Sequence, residues 1–209
     1  MENNQEKDSN TKRLIIIALL LALLACCFGF AALSNTVDID EGKKEASYAV
    51  FKGGVLSINP NKPENGKVFP TSKGGAKADP ATLTENGIIN INVHFTKPGQ
   101  SATYSFFGVN PTKNTSFLNS IYFADKQCTA KGGVDSSFVQ AACDDIEMII
   151  TVKNDSFNKT VEEIDFHPLE KESNEPITVT IKYKDKGVVP DGSFNVDFGT
   201  STITYSDLD

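Results

Sequence analysis

Residues 89–109 read ININVHFTKPGQSATYSFFGV. Ile89, Ile91, Val93 and Phe95 alternate with Asn90, Asn92 and His94. Successive side chains of an extended chain point to opposite faces, so this segment reads as a strand with one apolar and one polar face. Lys97-Pro98-Gly99 reads as the turn, since proline presets φ at the corner and glycine accepts positive φ. Ser101–Val109 is predicted as the return strand, with Ala102, Tyr104 and Phe106 in phase. One polar face per strand fits an antiparallel sheet, because parallel sheets are covered on both sides.

The same period recurs on either side. Ile177, Val179, Ile181 and Tyr183 alternate with Thr178, Thr180 and Lys182. Ile146–Val152 keeps Ile146, Met148, Ile150 and Val152 in phase, and Phe194, Val196 and Phe198 follow the Pro190-Asp191-Gly192 turn. Phe117–Ala124 and Thr202–Tyr205 have strand composition, as do Tyr48–Asn59, with a bend at Gly53-Gly54, and Lys159–Phe166. Residues 59–87, with Pro60, Pro63, Pro70 and Pro80, read as a long surface loop, and His167–Pro176 as a polar one. One short helix is expected at Ser136–Ala142, after the Gly132-Gly133 break and with Asp135 as N-cap. Eight or nine short strands between Gly, Pro and Asn turns predict an all-β antiparallel sandwich, Ig-like or jelly roll, with one short helix. With no Trp, much of its core falls to Phe, of which the chain has 14.

The N-terminal end has a different composition. Leu14–Leu33, LIIIALLLALLACCFGFAAL, carries no charge. As a helix, about 20 such residues span the roughly 30 Å of a hydrocarbon core. Lys12 and Arg13 precede it, so the positive-inside rule predicts a cytoplasmic tail at 1–13, a single transmembrane helix at 14–33, a stalk at 34–46 and an extracellular domain at 47–209. Three fates stay open: an uncleaved signal-anchor, a signal peptide cut at Gly29-Phe30-Ala31, or a lipoprotein signal in which Leu23-Leu24-Ala25 precedes a lipidated Cys26.

The formal charge is −7, and acids balance bases in the first thirteen residues, so the excess lies in the exported part. An acidic surface repels phosphate backbones, so no nucleic acid is expected as a partner. Cys26 and Cys27 sit in the apolar run, which leaves Cys128 and Cys143 one pairing in the domain. An oxidising compartment favours that disulfide, and free thiols or half a zinc site are the alternatives. No CxxC and no neighbouring His support zinc.

Catalytic groups are sparse. His94 lies on the polar face of its strand and His167 precedes Pro168, which makes it extended and loop-borne. HExxH, G-x-S-x-G and a P-loop are absent. Asp38–Gly42 begins like a calcium loop without its later ligands, and Asp144-Asp145 and Asp207 with Asp209 read as solvated acids. No catalytic residue, metal or cofactor is therefore assigned. The three N-x-S/T sequons, at Asn114, Asn154 and Asn158, are no more than this composition yields by chance.

Gly29-Phe30-Ala31-Ala32-Leu33-Ser34 after an apolar run, followed by strands and then Lys97-Pro98-Gly99-Gln100-Ser101-Ala102-Thr103-Tyr104-Ser105-Phe106, resembles exported Gram-positive surface proteins of the camelysin and biofilm-matrix-fibre family. That resemblance implies a jelly-roll or Ig-like sandwich and, for some members, polymerisation by strand exchange. It does not carry over camelysin's protease activity, since no metal-ligand motif matches. The expected function is a non-enzymatic, membrane-anchored surface module for adhesion, matrix contact or self-assembly. A secreted or lipid-anchored ligand-binding protein and an exported hydrolase with a carboxylate pair are the alternatives.

Overall fold

The computed structural model describes residues 53–189 and 192–207. The run Leu14–Leu33, Cys26, the stalk and the Asp38–Gly42 cluster lie outside the described residues. Among the described residues, no helix is long and apolar enough to cross a membrane.

Among the described residues, sixteen strands pair antiparallel in three sheets that form a sandwich-like arrangement, with one short helix. The first sheet orders β1 (Val55–Ser57), β8 (Ser101–Asn110), β14 (Ser173–Tyr183), β11 (Ile146–Val152) and β12 (Asp155–Phe157), with β3 (Thr71–Lys73) also on β8. The second orders β10 (Lys126–Lys131), β15 (Ser193–Phe198), β7 (Ile91–Phe95) and β4 (Lys77–Ala78). The third orders β13 (Pro168–Leu169), β9 (Ser116–Tyr122), β16 (Ser201–Asp207), β6 (Gly87–Ile89), β5 (Ala81–Leu83) and β2 (Gly66–Val68). The alternating segments become the core: Tyr104 and Phe106 of β8, Ile177, Val179, Ile181 and Tyr183 of β14, Ile91, Val93 and Phe95 of β7, and Phe194 and Val196 of β15 are all at most 1 % exposed. Edge-on ring contacts of Tyr183 with Phe95 and Phe194, with centroids 5.8 and 5.5 Å apart, join the first sheet to the second.

The opening segment departs from its expected form in two ways. Ile89–Phe95 is not one strand. Asn90 takes φ 60°, a left-handed value that Asn tolerates, and divides it into β6 of the third sheet and β7 of the second. Ile88, not Ile89, is the buried residue before the break. The Lys97-Pro98-Gly99 turn does not close a hairpin either. It carries the chain from β7 in the second sheet to β8 in the first, with Gly99 at φ 80°. A turn signal reports a change of direction, and which sheet receives the next strand depends on distant partners.

Three other segments differ from expectation. Residues 59–87 are not a loop: β2, β3, β4 and β5 lie there and reach all three sheets, burying Val68, Ala76, Ala81 and Leu83. Lys159–Phe166 forms no strand and contributes one bridge, Val161 to Ile121. His167–Pro176 is not a polar loop, since β13 and the start of β14 occupy it. Pro176 is tolerated inside β14. Its carbonyl accepts from the Lys153 N–H, on the β11 side. The missing proline N–H therefore also faces that side, just past the Val152–Ile177 pair where the β11 ladder ends.

The helix α1 (Ser136–Asp144) forms where expected. Asp135 Oδ1 accepts from the Ser137 hydroxyl at 2.6 Å and the Ser137 N–H at 2.7 Å, which caps the first turn. Those two bonds hold the Asp135 carboxyl below its ordinary range. Val139 and Ala142 join the core, and a Cys128–Cys143 disulfide, with Cα atoms 6.0 Å apart, ties α1 to β10.

Candidate functional site

Two groups of polar side chains stand out, one buried and one open. The buried group forms where β16 of the third sheet meets β14 of the first. In β9, Ser120 pairs with Thr204 and Leu118 with Tyr205, so Asn119 is an extra residue and makes a bulge. The bulge explains why Leu118 and Ile121, three apart, are both buried, and why the FLNSIY segment does not alternate. Tyr205 points inward across the sheets. Glu175 and Gly108 are ladder partners in β14 and β8, and a Cβ on Gly108 would collide with the Tyr205 hydroxyl. A Cβ on Gly54 would stand 2.9 Å from the Tyr205 ring. Both glycines are thus demanded by the tyrosine and not by a turn.

In that space the Tyr205 hydroxyl donates to Glu175 Oε1 at 2.7 Å. His167 Nε2 lies 3.0 Å from Glu175 Oε2, and His167 Nδ1 lies 3.0 Å from Asp155 Oδ2. Glu175 is 4 % and His167 8 % exposed, while the Asp155 side chain is 64 % exposed. His167 precedes Pro168 and lies in the connection just before β13, as expected, but it is buried there. Phe166 before it takes φ 28°, a strained value for a residue with a side chain, and its ring packs on Phe117 at 5.7 Å.

An ionised carboxylate only accepts, and a neutral imidazole carries one N–H. Both His167 contacts are hydrogen bonds only if both ring nitrogens are protonated or one carboxyl carries the proton. Burial, then the nearby Glu175 charge and the bond to it, push the Tyr205 hydroxyl well above its ordinary range, so the tyrosine remains a donor. Each polar tip is occupied by another. Among the described residues no buried side-chain nitrogen or oxygen lacks a partner. The chemistry of this arrangement is that of a staple: Tyr205 of the third sheet bonds Glu175 of the first directly, and His167, just before β13 of the third sheet, reaches Glu175 and Asp155 of the first.

The open group lies where the third sheet hands over to the second. The β9–β10 and β15–β16 connections run side by side, and the Gly199 N–H donates to the Asp125 carbonyl at 3.4 Å. A depression of about 440 Å³ is lined there by Tyr122, Asp125, Gln127, Asp197 and Thr200, over a floor that includes Phe198. Tyr122 is 59 % exposed. Gln127 and Asp197 are ladder partners on β10 and β15, and both are exposed. Asp197 accepts from Asn92 Nδ2.

The residues singled out in the sequence are placed as follows. Cys128 and Cys143 are bonded to each other. Half-buried His94 lies 2.8 Å from Asn195 Oδ1 through Nδ1. Asp145 caps the end of α1 and accepts from the Val188 N–H, and Asp207 accepts from the Ser116 hydroxyl. Among the described residues, no three His, Cys, Asp or Glu come together as a metal site. The three sequon asparagines are exposed. Sequence reasoning missed Glu175, Tyr205, Tyr122, Asp125, Gln127 and Asp197. The signal for the first two was Glu175 interrupting the apolar phase of β14 one step before Ile177.

A scan against protein-family models finds no match for the chain, and a search of the curated proteins finds none either.

Proposed function

We propose that the chain is a single-pass membrane protein that displays a disulfide-stabilised β-sandwich outside the cell, in a structural or adhesive role without catalysis of its own. The disulfide is the observation that carries this reading. Cys128 and Cys143 sit at bonding distance on two elements packed together, and such bonds persist in oxidising compartments. The charge-free Leu14–Leu33 run behind Lys12 and Arg13 supplies the route there, with the N-terminus in the cytoplasm. Pairing between strands distant in sequence, such as β8 with β14 and β7 with β15, supports a jelly-roll or Ig-like sandwich like that implied by the camelysin and matrix-fibre resemblance. The saturated His167 cluster supports a structural use of the chain's buried polar groups.

A second reading, an exported ligand-binding protein, is favoured by the Tyr122 depression. A carboxylate-pair hydrolase is the weaker alternative. Such an enzyme needs one desolvated carboxyl as acid, whereas Asp125 and Asp197 are both exposed.

Shaving intact source cells with an external protease tests the display. Release of domain fragments while a cytoplasmic marker stays whole is expected. Full protection of the chain until the cells are lysed would refute it.

A further inference from the structure

We propose that the Tyr122 depression is a binding subsite for neutral carbohydrate, a pyranose-based oligosaccharide whose ring stacks on Tyr122. The inference gives the surface-module reading a ligand class, yet it is measured on the purified chain and can fail while display outside the membrane stands.

The observations bear on ligand class one at a time. A depression of about 440 Å³ is large enough for a small ligand. Tyr122 holds most of a flat aromatic surface in water, which rewards a ligand with a planar apolar face. Around it stand two carboxylates and an amide, on Asp125, Asp197 and Gln127, and the Thr200 hydroxyl. Carboxylates and amides are planar groups that bind two neighbouring hydroxyls at once. A ligand with an apolar C–H face and a rim of vicinal hydroxyls satisfies both features, and a pyranose has that form.

The other classes fit less well. An apolar ligand would take water from the Asp125 and Asp197 carboxylates and offer them no hydrogen bond in return, which is costly. An anionic ligand, including nucleic acid or a uronic acid, would meet both carboxylates on a chain of formal charge −7. The site is also partly pre-formed: the β10–β15 ladder sets the backbone of Gln127 and Asp197, and Asn92 holds the Asp197 carboxylate. Rigid positioning reduces the ordering cost of binding.

The test uses the full chain in zwitterionic detergent micelles, because sugar-headed detergents would compete. Cellotriose and chitotriose are titrated by calorimetry and by saturation-transfer NMR, with trigalacturonate as the anionic control and tetralysine as the cationic peptide control. Saturable binding of at least one neutral trisaccharide is expected, with no binding of trigalacturonate. Tyr122→Ala should weaken that binding by about tenfold or more, and Tyr122→Phe should keep it within about twofold, because stacking needs the ring and not the hydroxyl. Asp125→Asn combined with Gln127→Ala should weaken it without loss of the fold, and Phe138→Ala on exposed α1 should leave it unchanged. Absence of saturable binding to either trisaccharide would overturn the proposal, as would binding that survives Tyr122→Ala. Binding of tetralysine alone would overturn it in favour of a cationic peptide site.

Discussion

The His167 cluster and the Tyr122 depression are built from similar parts, two carboxylates beside a tyrosine, and put them to opposite use. In the first, Glu175 is 4 % exposed and its oxygens are claimed by Tyr205 and His167. In the second, Asp125 and Asp197 are exposed and Tyr122 keeps 59 % of its surface in water. Burial decides the role. A buried polar group must be satisfied by the protein itself, so its partners become part of the fold. An exposed group is satisfied by water, which a ligand can replace. Stability should therefore depend on the first region and recognition on the second.

The largest expected effect breaks the buried region. His167→Ala leaves the Glu175 carboxylate in the core with only Tyr205, and should cost about 3–5 kcal/mol in denaturant unfolding of the oxidised chain. Replacing the whole group, with His167→Leu, Glu175→Leu and Tyr205→Phe together, should recover most of that loss, since no charge is then stranded. Failure of the triple variant to regain stability would mean the cluster does more than staple two sheets. Next in size is the covalent tie. Removing the Cys128–Cys143 bond, which closes a sequence separation of 15, should lower stability by about 3 kcal/mol. Unfolding midpoints with and without reductant measure it. Gly108→Ala follows, because the added methyl drives into the Tyr205 hydroxyl; an overpacking cost of about 1–3 kcal/mol is expected in the same assay.

Alkaline pH sharpens the comparison without mutation. Burial and, secondarily, the charge of Asp145 push the Tyr183 hydroxyl up to about 12, and burial also raises Tyr104 and Tyr205. A hydroxyl that ionises later in the folded than in the unfolded chain contributes stability that is intact below pH 10 and lost as pH rises through the folded value. The unfolding midpoint should hold below pH 10 and fall between about pH 10 and 12. The smallest effect closes the series: Tyr122→Ala should change stability by less than about 0.5 kcal/mol, although it removes the proposed stacking platform.

Most of the fold was legible where one face of a strand is buried. Ile177–Tyr183 and Ile146–Val152 alternate strictly, and both are core strands of the first sheet. The Gly132-Gly133 break, Asp135 and the lone cysteine pair carried the helix and its bond. Residues 59–87 were misread because their strands are two or three residues long, too short for a period to appear between prolines and glycines. The His167 cluster was illegible for another reason. Its contacts span 8, 12 and 30 residues, and no local pattern announces that a pre-proline histidine will meet two carboxylates and a tyrosine across two sheets. The depression is likewise made by two connections far apart in sequence, so only the assembled sheets bring Tyr122 beside Asp197.

Both regions belong to a domain proposed to fold and oxidise outside the membrane. Non-reducing peptide mass mapping of the chain recovered from its native cells tests that most directly. A single linked peptide pair carrying Cys128 and Cys143 at full occupancy is the expected result. Two free thiols in protein trapped with an alkylating agent at the moment of lysis would contradict it.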